Sequence, residues 1–348
     1  MIITDVRSIQ PVADGSPADW RTSMGQILVA IETDVGLTGY GVGGGGLAGV
    51  HVVKTVLRDV LLEQSPDSIE SLWEQMYEAT LAFGRKGIAI MALSGVDLAL
   101  WDLKGKAEKL PVAKLLGGDV SKAVPTYVTV WDDVPEEVLE NYSAFKLHVG
   151  KVDSGELEED VVARVRKARR RIGPEKPLMI DAWMKWSVTQ TLAIAKQIEV
   201  YDVGWIEEPI SPDDLGGYAE LRDRCNIPIA GGEHEFTQYG FAPLIENRLH
   251  TVLQPDICWC GGMTEMVKIY RMAKNAEIRV CPHRGAEVWG LHAIVALDSQ
   301  PLAESGRPWM TWVNGQPMIN DGMIQIREEP GFGVTIDDAK FSDILTTT

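Results

Sequence analysis

The 348-residue sequence predicts an α/β barrel with a separate α+β unit ahead of it. Three apolar strand-like runs close on an acidic residue: Leu178-Met179-Ile180-Asp181, Val203-Gly204-Trp205-Ile206-Glu207 and Ile227-Pro228-Ile229-Ala230-Gly231-Gly232-Glu233. Their pitch is even, 207 − 181 = 26 and 233 − 207 = 26 residues. One buried strand plus one helix needs about that length in a barrel of roughly 250 residues. The chain exceeds such a barrel by about 100 residues, and its first ~120 residues do not follow the rhythm.

In chain order, Met1-Ile2-Ile3-Thr4-Asp5-Val6-Arg7 reads as a strand. It lacks the basic and long apolar regions of a signal peptide, and no stretch approaches the roughly 20 apolar residues of a membrane span, so a cytoplasmic protein is expected. Gln26–Thr33 and Leu37–Gly41 flank Asp34-Val35-Gly36 and predict a hairpin. Helical patterns follow over Val53–Leu62, Ser68–Leu81 and Ile88–Glu108; in the last, Leu93, Val96, Leu100, Leu103 and Ala107 recur at helical spacing. The barrel rhythm starts near Pro125–Val130 and continues through Phe145–Val149, the three acidic-ended runs, Thr251–Asp256 and Ile278–His283. Helical stretches lie between, such as Leu157–Arg171, Thr189–Gln197 and Met263–Lys274, and this alternation implies parallel strands. The tail from Gly322 to Ile336 reads as turns and short strands that return to the N-terminal unit.

Composition narrows the partners. The net charge is 33 − 50 = −17, which argues against nucleic acid or an anionic membrane. Cys225, Cys258, Cys260 and Cys281 contain no Cys-x-x-Cys pair, so buried reduced thiols are expected rather than a zinc or redox motif. Gly41-Val42-Gly43-Gly44-Gly45-Gly46 satisfies Gly-x-Gly-x-x-Gly. It follows a hairpin rather than opening a βαβ unit, so a mobile loop is the better reading.

Carboxylates at the C-terminal ends of consecutive barrel strands point into one mouth. Without a counter-charge they repel and partly protonate. Asp181, Glu207 and Glu233 as hard oxygen ligands around one divalent cation resolve the conflict, with Mg²⁺, one per subunit, as the expected occupant. Continuing the rhythm, Asp256 ends the sixth strand and His283 the seventh, with spacings 256 − 233 = 23 and 283 − 256 = 27. A carboxylate fixing the tautomer of an imidazole makes a general base near neutral pH. Taken singly, Asp256 could cap a helix and His283 could be a satisfied core residue; in register with three other acids they read as a dyad.

The helix Ala92-Leu93-Ser94-Gly95-Val96-Asp97-Leu98-Ala99-Leu100-Trp101-Asp102-Leu103-Lys104-Gly105-Lys106 and the run Trp205-Ile206-Glu207-Glu208-Pro209 resemble signatures of the enolase superfamily, mandelate racemase-like group. The resemblance runs in order along nearly the whole chain. It implies a (β/α)7β modified TIM barrel under an α+β capping domain, with residues 1–120 and the tail 315–348 forming the cap and 121–314 the barrel. It also implies a His base with Mg²⁺ stabilising an enediolate, a chemistry known for such sites. Gly232–Phe236, Gln254–Gly262 and Pro282–Gly290 are similar to the L-rhamnonate dehydratase branch, as is Asp181-Ala182-Trp183 where relatives carry Asp-x-Asn.

That branch places Glu304 near the eighth strand as an electrophilic partner hydrogen-bonding the substrate carboxylate; a surface glutamate is the alternative. Many relatives carry Lys-x-Lys on the second strand, where this chain has Lys146-Leu147-His148. Residues two apart share a strand face, so both reach the mouth. Lys146 would hold the carboxylate, and His148 would be the acid for a departing hydroxyl, a second base, or a structural hydrogen-bonder. In this superfamily the cap supplies substrate contacts, which points to Trp20, Arg21 and the loop from Gly43 to His51; Trp183 and His234 join them from the barrel. Arg21 suits a bidentate grip on a carboxylate. The expected activity is acid-sugar dehydration, with racemisation or epimerisation through the same enediolate as the rival. The expected partners are a small sugar acid and further copies of the chain.

Overall fold

The computed structural model describes residues 1–11, 24–131, 133–149, 158–306 and 312–336. The N-terminal unit holds an antiparallel sheet, β1 (Ile3–Ile9), β2 (Ile27–Thr33) and β3 (Thr38–Gly43), in the order β1-β2-β3. The predicted hairpin is there, with Gly36 at φ +76° and the Thr33 N–H donating to the Leu37 carbonyl at 3.1 Å. Strand alternation lets β2 serve two cores. Ile27, Val29 and Ile31 face one cluster with Leu93, Val96 and Leu100, while Leu28 and Ala30 join the main barrel core.

The helix Ile88–Glu108 lies flat on β3, and glycines make that approach possible. A Cβ on Gly39, Gly41 or Gly43 would sit 2.2 Å from the Ala99 carbonyl, 2.0 Å from that of Gly95 and 2.4 Å from that of Met91. Two residues of strand rise about 6.7 Å and four residues of helix about 6 Å, so these two ladders stay in step. Gly41 and Gly43 therefore belong to a packing seam, and the mobile-loop reading does not hold for them. The predicted stripe is buried through Leu103, but Ala107 is exposed at the helix end, where Lys109 takes the left-handed φ of +56°.

Eight parallel strands form the second sheet: β4 (Val124–Val130), β5 (Ala144–His148), β6 (Leu178–Asp181), β7 (Val203–Glu207), β8 (Ile229–Gly231), β9 (Val252–Leu253), β10 (Arg279–Val280) and β11 (Ala303–Glu304). Their order is β10-β9-β8-β7-β6-β5-β4-β11, and a helix follows each of the first seven, as in a (β/α)7β barrel. Across the remaining seam the Arg284 and Ala286 N–H groups donate to Glu304, at 2.9 Å to the carboxylate and 2.8 Å to the carbonyl. The predicted runs Thr251–Asp256 and Ile278–His283 are paired as strands at only two residues each; Gln254 and Cys281 still donate to the Gly231 and Leu253 carbonyls at 2.8 Å, and the residues after them form the mouth.

The tail serves both units. β12 (Val313–Asn314) pairs with β14 (Thr335–Ile336), and β13 (Met323–Ile324) adds antiparallel to β4. Between β13 and β14, the Phe332 N–H donates to Asp102 on the long helix at 2.8 Å. The same helix docks on the barrel: Asp97 accepts from the Thr264 hydroxyl at 2.5 Å and from its N–H at 3.0 Å. All four cysteines are free thiols, and Cys258, Cys260 and Cys281 are buried as expected. Among the described residues no helix is long and apolar enough to cross a membrane.

Candidate active site and metal centre

The C-terminal ends of the barrel strands bring the predicted residues together. Asp181 and Glu207 are the last residues of β6 and β7 and are register neighbours; Glu233 lies two residues past β8. Lys146, 1 % exposed, reaches among them with Nζ 2.5 Å from Glu207 Oε1, 2.8 Å from Glu304 Oε1 and 4.0 Å from Asp181 Oδ2. Gln254 and the Trp205 indole donate to the other Glu207 oxygen at 2.6 and 3.2 Å. Glu304 also accepts from the Thr129 hydroxyl at 2.6 Å.

Electrostatics tests whether a cation belongs here. Burial and the Glu207 charge push the Asp181 carboxyl well above its ordinary range, against the pull of Lys146. Burial likewise raises Glu207, opposed by Lys146. Burial would raise Glu233 too, but His283, His234 and Lys146 outweigh it and hold the group below its usual value. A single ammonium thus stands in for more positive charge than it carries, and the hard-oxygen donors Asp181, Glu207 and Glu233 suit Mg²⁺. Among the described residues the one set of three whose ligand atoms all lie within 4.8 Å of one another is Glu208, Glu233 and His234, which shares Glu233 with the carboxylate trio. We favour the all-carboxylate set, because His234 Nδ1 is taken up by Glu208 at 2.7 Å and imidazole is a poor Mg²⁺ ligand.

The dyad also forms. His283 Nδ1 lies 3.0 Å from Asp256 Oδ2, and both are buried. His283 Nε2 sits between Glu233 Oε2 at 3.2 Å, which favours a proton on it, and Arg284 Nε at 3.2 Å, which opposes one. Burial lowers the imidazole, but Glu233 and Asp256 prevail and raise it above its ordinary value. Burial would raise Glu304, yet Lys146 and His283 hold it far below the usual carboxylate range. It is therefore ionised as placed and accepts rather than donates. Donation to a substrate carboxylate would require Lys146 to shift to the substrate and Glu304 to take up a proton.

Among the expected substrate contacts, His234 is drawn up to about 9, because Glu208 and Glu233 outweigh burial. Trp183 follows Asp181, whose carboxylate accepts its N–H at 3.0 Å. His148 Nε2 is 3.8 Å from Asp181 Oδ2, and its ring stacks on Trp131. His51 is exposed on the helix Gly46–Val52, and among the contacts of the described residues none joins it to the carboxylates. Trp20 and Arg21 lie outside the described residues.

Sequence reasoning passed over Gln254, Glu208, Thr129, Trp131 and Arg284. Gln254, Glu208 and Arg284 lie within the motifs named above, which fix their positions but not the side chains they hold. A second signal is backbone strain: Trp183, Met184, Glu208 and Arg284 all take positive φ, between +37° and +62°, just past strands of the mouth. Such conformations cost roughly 1–3 kcal/mol each and gather at functional sites.

Residues 6–117 match the family model of the mandelate racemase/muconate lactonizing enzyme N-terminal domain, and residues 132–340 match that of enolase C-terminal domain-like proteins. The chain is 36% identical over 327 residues to an L-rhamnonate dehydratase of Saccharopolyspora erythraea, spanning 90% of this chain and 84% of that one. It is similar to the solved 3,6-anhydro-D-galactonate cycloisomerase of Zobellia galactanivorans, at 30% identity and TM-score 0.87 over all of both chains. It is also similar to the rhamnonate dehydratase of Gibberella zeae complexed with Mg, at 27% identity and TM-score 0.88 over 100% of this chain and 98% of that one. Matched through both halves, with a capped (β/α)7β barrel in common, the chain belongs to the mandelate racemase/muconate lactonizing enzyme family of the enolase superfamily.

Proposed function

We propose that this protein is a Mg²⁺-dependent acid-sugar dehydratase, acting on L-rhamnonate or a related aldonate. The observation that carries the reading is the buried His283–Asp256 pair, 3.0 Å apart, with Glu233 Oε2 3.2 Å from the other imidazole nitrogen. The similarity to two rhamnonate dehydratases supports the choice of substrate class. The boundaries proposed for the units are 1–120 and 315–348 for the cap and 121–314 for the barrel.

When bound to Asp181, Glu207 and Glu233, Mg²⁺ would neutralise the substrate carboxylate and the charge that builds on it, and relieve the pull of Glu233 on His283. His283 Nε2 takes the proton α to the carboxylate, while Asp256 accepts from Nδ1–H and stabilises the imidazolium. Lys146 lies at the carboxylates with its charge secured: burial lowers its proton affinity, but Glu207 and Glu304 raise it well above the ordinary value. The 3-hydroxyl leaves as water with a proton from His283 or His148. The resulting enol tautomerises to the 2-keto-3-deoxy acid.

The rival epimerase needs a second base. Lys146 is engaged by two carboxylates and is a poor candidate, so His148 would have to supply it. Incubation with Mg²⁺ and a panel of aldonates and aldarates in deuterated water separates the readings. Dehydration predicts a 2-keto-3-deoxy product from a narrow set of diastereomers. Exchange at the α-carbon, or epimerised acid, with no ketone would assign the rival chemistry. Light scattering tests the expected homo-oligomer, which a monomer at micromolar concentration would exclude.

A further inference from the structure

At the mouth, the residue just after β4 is Trp131, an aromatic 51% exposed, beside a strand to which the dehydratase reading assigns no substrate contact. Its indole lies on the imidazole of His148, at the end of the neighbouring strand, with centroids 3.9 Å apart and planes 20° from parallel. On the other side Trp183 approaches the same imidazole at 6.2 Å and 47°. The stack is held from behind. Arg164, on the helix Glu158–Ile172, donates one guanidinium nitrogen to the backbone carbonyls of both Trp131 and His148, the latter at 2.8 Å. One cation therefore ties the ends of two adjacent strands together at the residues whose rings stack.

We propose that Trp131 is a positioning residue for His148, holding the imidazole between two indoles so that Nε2 faces Asp181 and the space above the carboxylates. Arg164 secures the register of the two strand ends on which that stack depends. Neither residue needs to touch the substrate. The inference rests on the reading of His148 as an active-site group. A buried imidazole without lateral support has several rotamers, and a stacked indole selects one at little entropic cost because both rings are rigid. Misplacing a reacting group by about 1 Å costs up to roughly 100-fold in rate, so a supporting ring affects turnover more than binding.

The test compares Trp131→Ala with Trp131→Phe by two measurements on the full chain. The first is NMR of the imidazole signals, with the His148 signal identified among six histidines by its loss in His148→Asn. A stacked indole shields these protons, so Trp131→Ala moves the His148 signal downfield and Trp131→Phe restores part of the shift. The second is steady-state kinetics on the best aldonate. Trp131→Ala lowers kcat by about 10- to 100-fold with KM nearly unchanged, and Trp131→Phe recovers most of the loss. Arg164→Gln weakens both readouts in the same direction. An unmoved His148 signal in Trp131→Ala overturns the proposal, as does a rise in KM with kcat intact, which would make Trp131 a substrate platform. If the wild-type protein turns over no sugar acid, the dehydratase reading fails, and an unmoved His148 signal in Trp131→Ala still overturns the stack on which the positioning role depends.

Discussion

At the residue scale, the site depends on charges whose partners are specific atoms. Asp256→Asn keeps a hydrogen bond to His283 but removes the charge that favours the imidazolium. We expect kcat to fall by about 10²- to 10⁴-fold, and His283→Asn to abolish ketone formation. An Asp256→Asn variant of wild-type activity would remove the dyad from the mechanism. The carboxylate trio makes a thermodynamic prediction independent of turnover. Mg²⁺ at 100 times its Kd should stabilise the protein by about 2.7 kcal/mol, read as a rise in Tm. Glu233→Gln should lose most of that rise at the same Mg²⁺ concentration, and a wild-type Tm indifferent to Mg²⁺ would sink the assignment. These residues were legible because barrel strands deliver their terminal side chains to one mouth, so even spacing alone puts them together. Glu208, Gln254 and Arg284 were not, because what they do is hold other side chains, and no periodicity encodes a contact at 2.6 or 2.7 Å.

At the scale of elements, the glycine run illustrates how a motif misleads. Gly39, Gly41 and Gly43 alternate on one face of β3 because a helix backbone occupies that face. Gly41→Ala would place a methyl 2.0 Å from the Gly95 carbonyl, where no flexible side chain can yield. We expect a loss of at least about 2 kcal/mol, measured by urea unfolding. Gly36→Ala meets nothing within 4 Å and pays only for its φ of +76°, about 1–2 kcal/mol. If Gly41→Ala proved the milder of the two, the packing account of the seam would be wrong. The hairpin, the long helix and the barrel alternation were readable from pattern. The lengths of β9 and β10 were not, because Pro255 and Pro282 have no N–H to give a ladder and the pairing ends before them, short of the predicted strand ends at Asp256 and His283.

At the scale of the whole molecule, helix Val288–Leu297 locks the barrel to the tail and the cap through His292. Its Nδ1 accepts the Ala113 N–H at 3.0 Å, and its ring meets Phe332 edge-on at 5.1 Å. Burial presses this imidazole down to about 3, below the ordinary 6.5. The unfolded chain therefore takes up the proton first as pH falls. The stability contributed by neutral His292 is complete above pH 6.5 and is lost progressively from there towards about 3. At about 1.4 kcal/mol per pKa unit the loss reaches several kcal/mol. In His292→Leu the slope of unfolding free energy against pH between 6.5 and 4 should be shallower; an unchanged slope would place the effect elsewhere.

The sequence by itself determined the strand–helix rhythm, the hairpin and the order in which acids and His283 arrive at strand ends. Those follow from local periodicity, and a barrel converts order along the chain into convergence in space. Only the tertiary structure decided that Lys146 lies between Glu207 and Glu304 and that Glu304 stays ionised. It alone decided that Trp131 stacks on His148, and that the glycines of β3 receive a helix. Each of these depends on distances between side chains or backbones far apart in sequence, and on a burial that sets how strongly their charges act on one another.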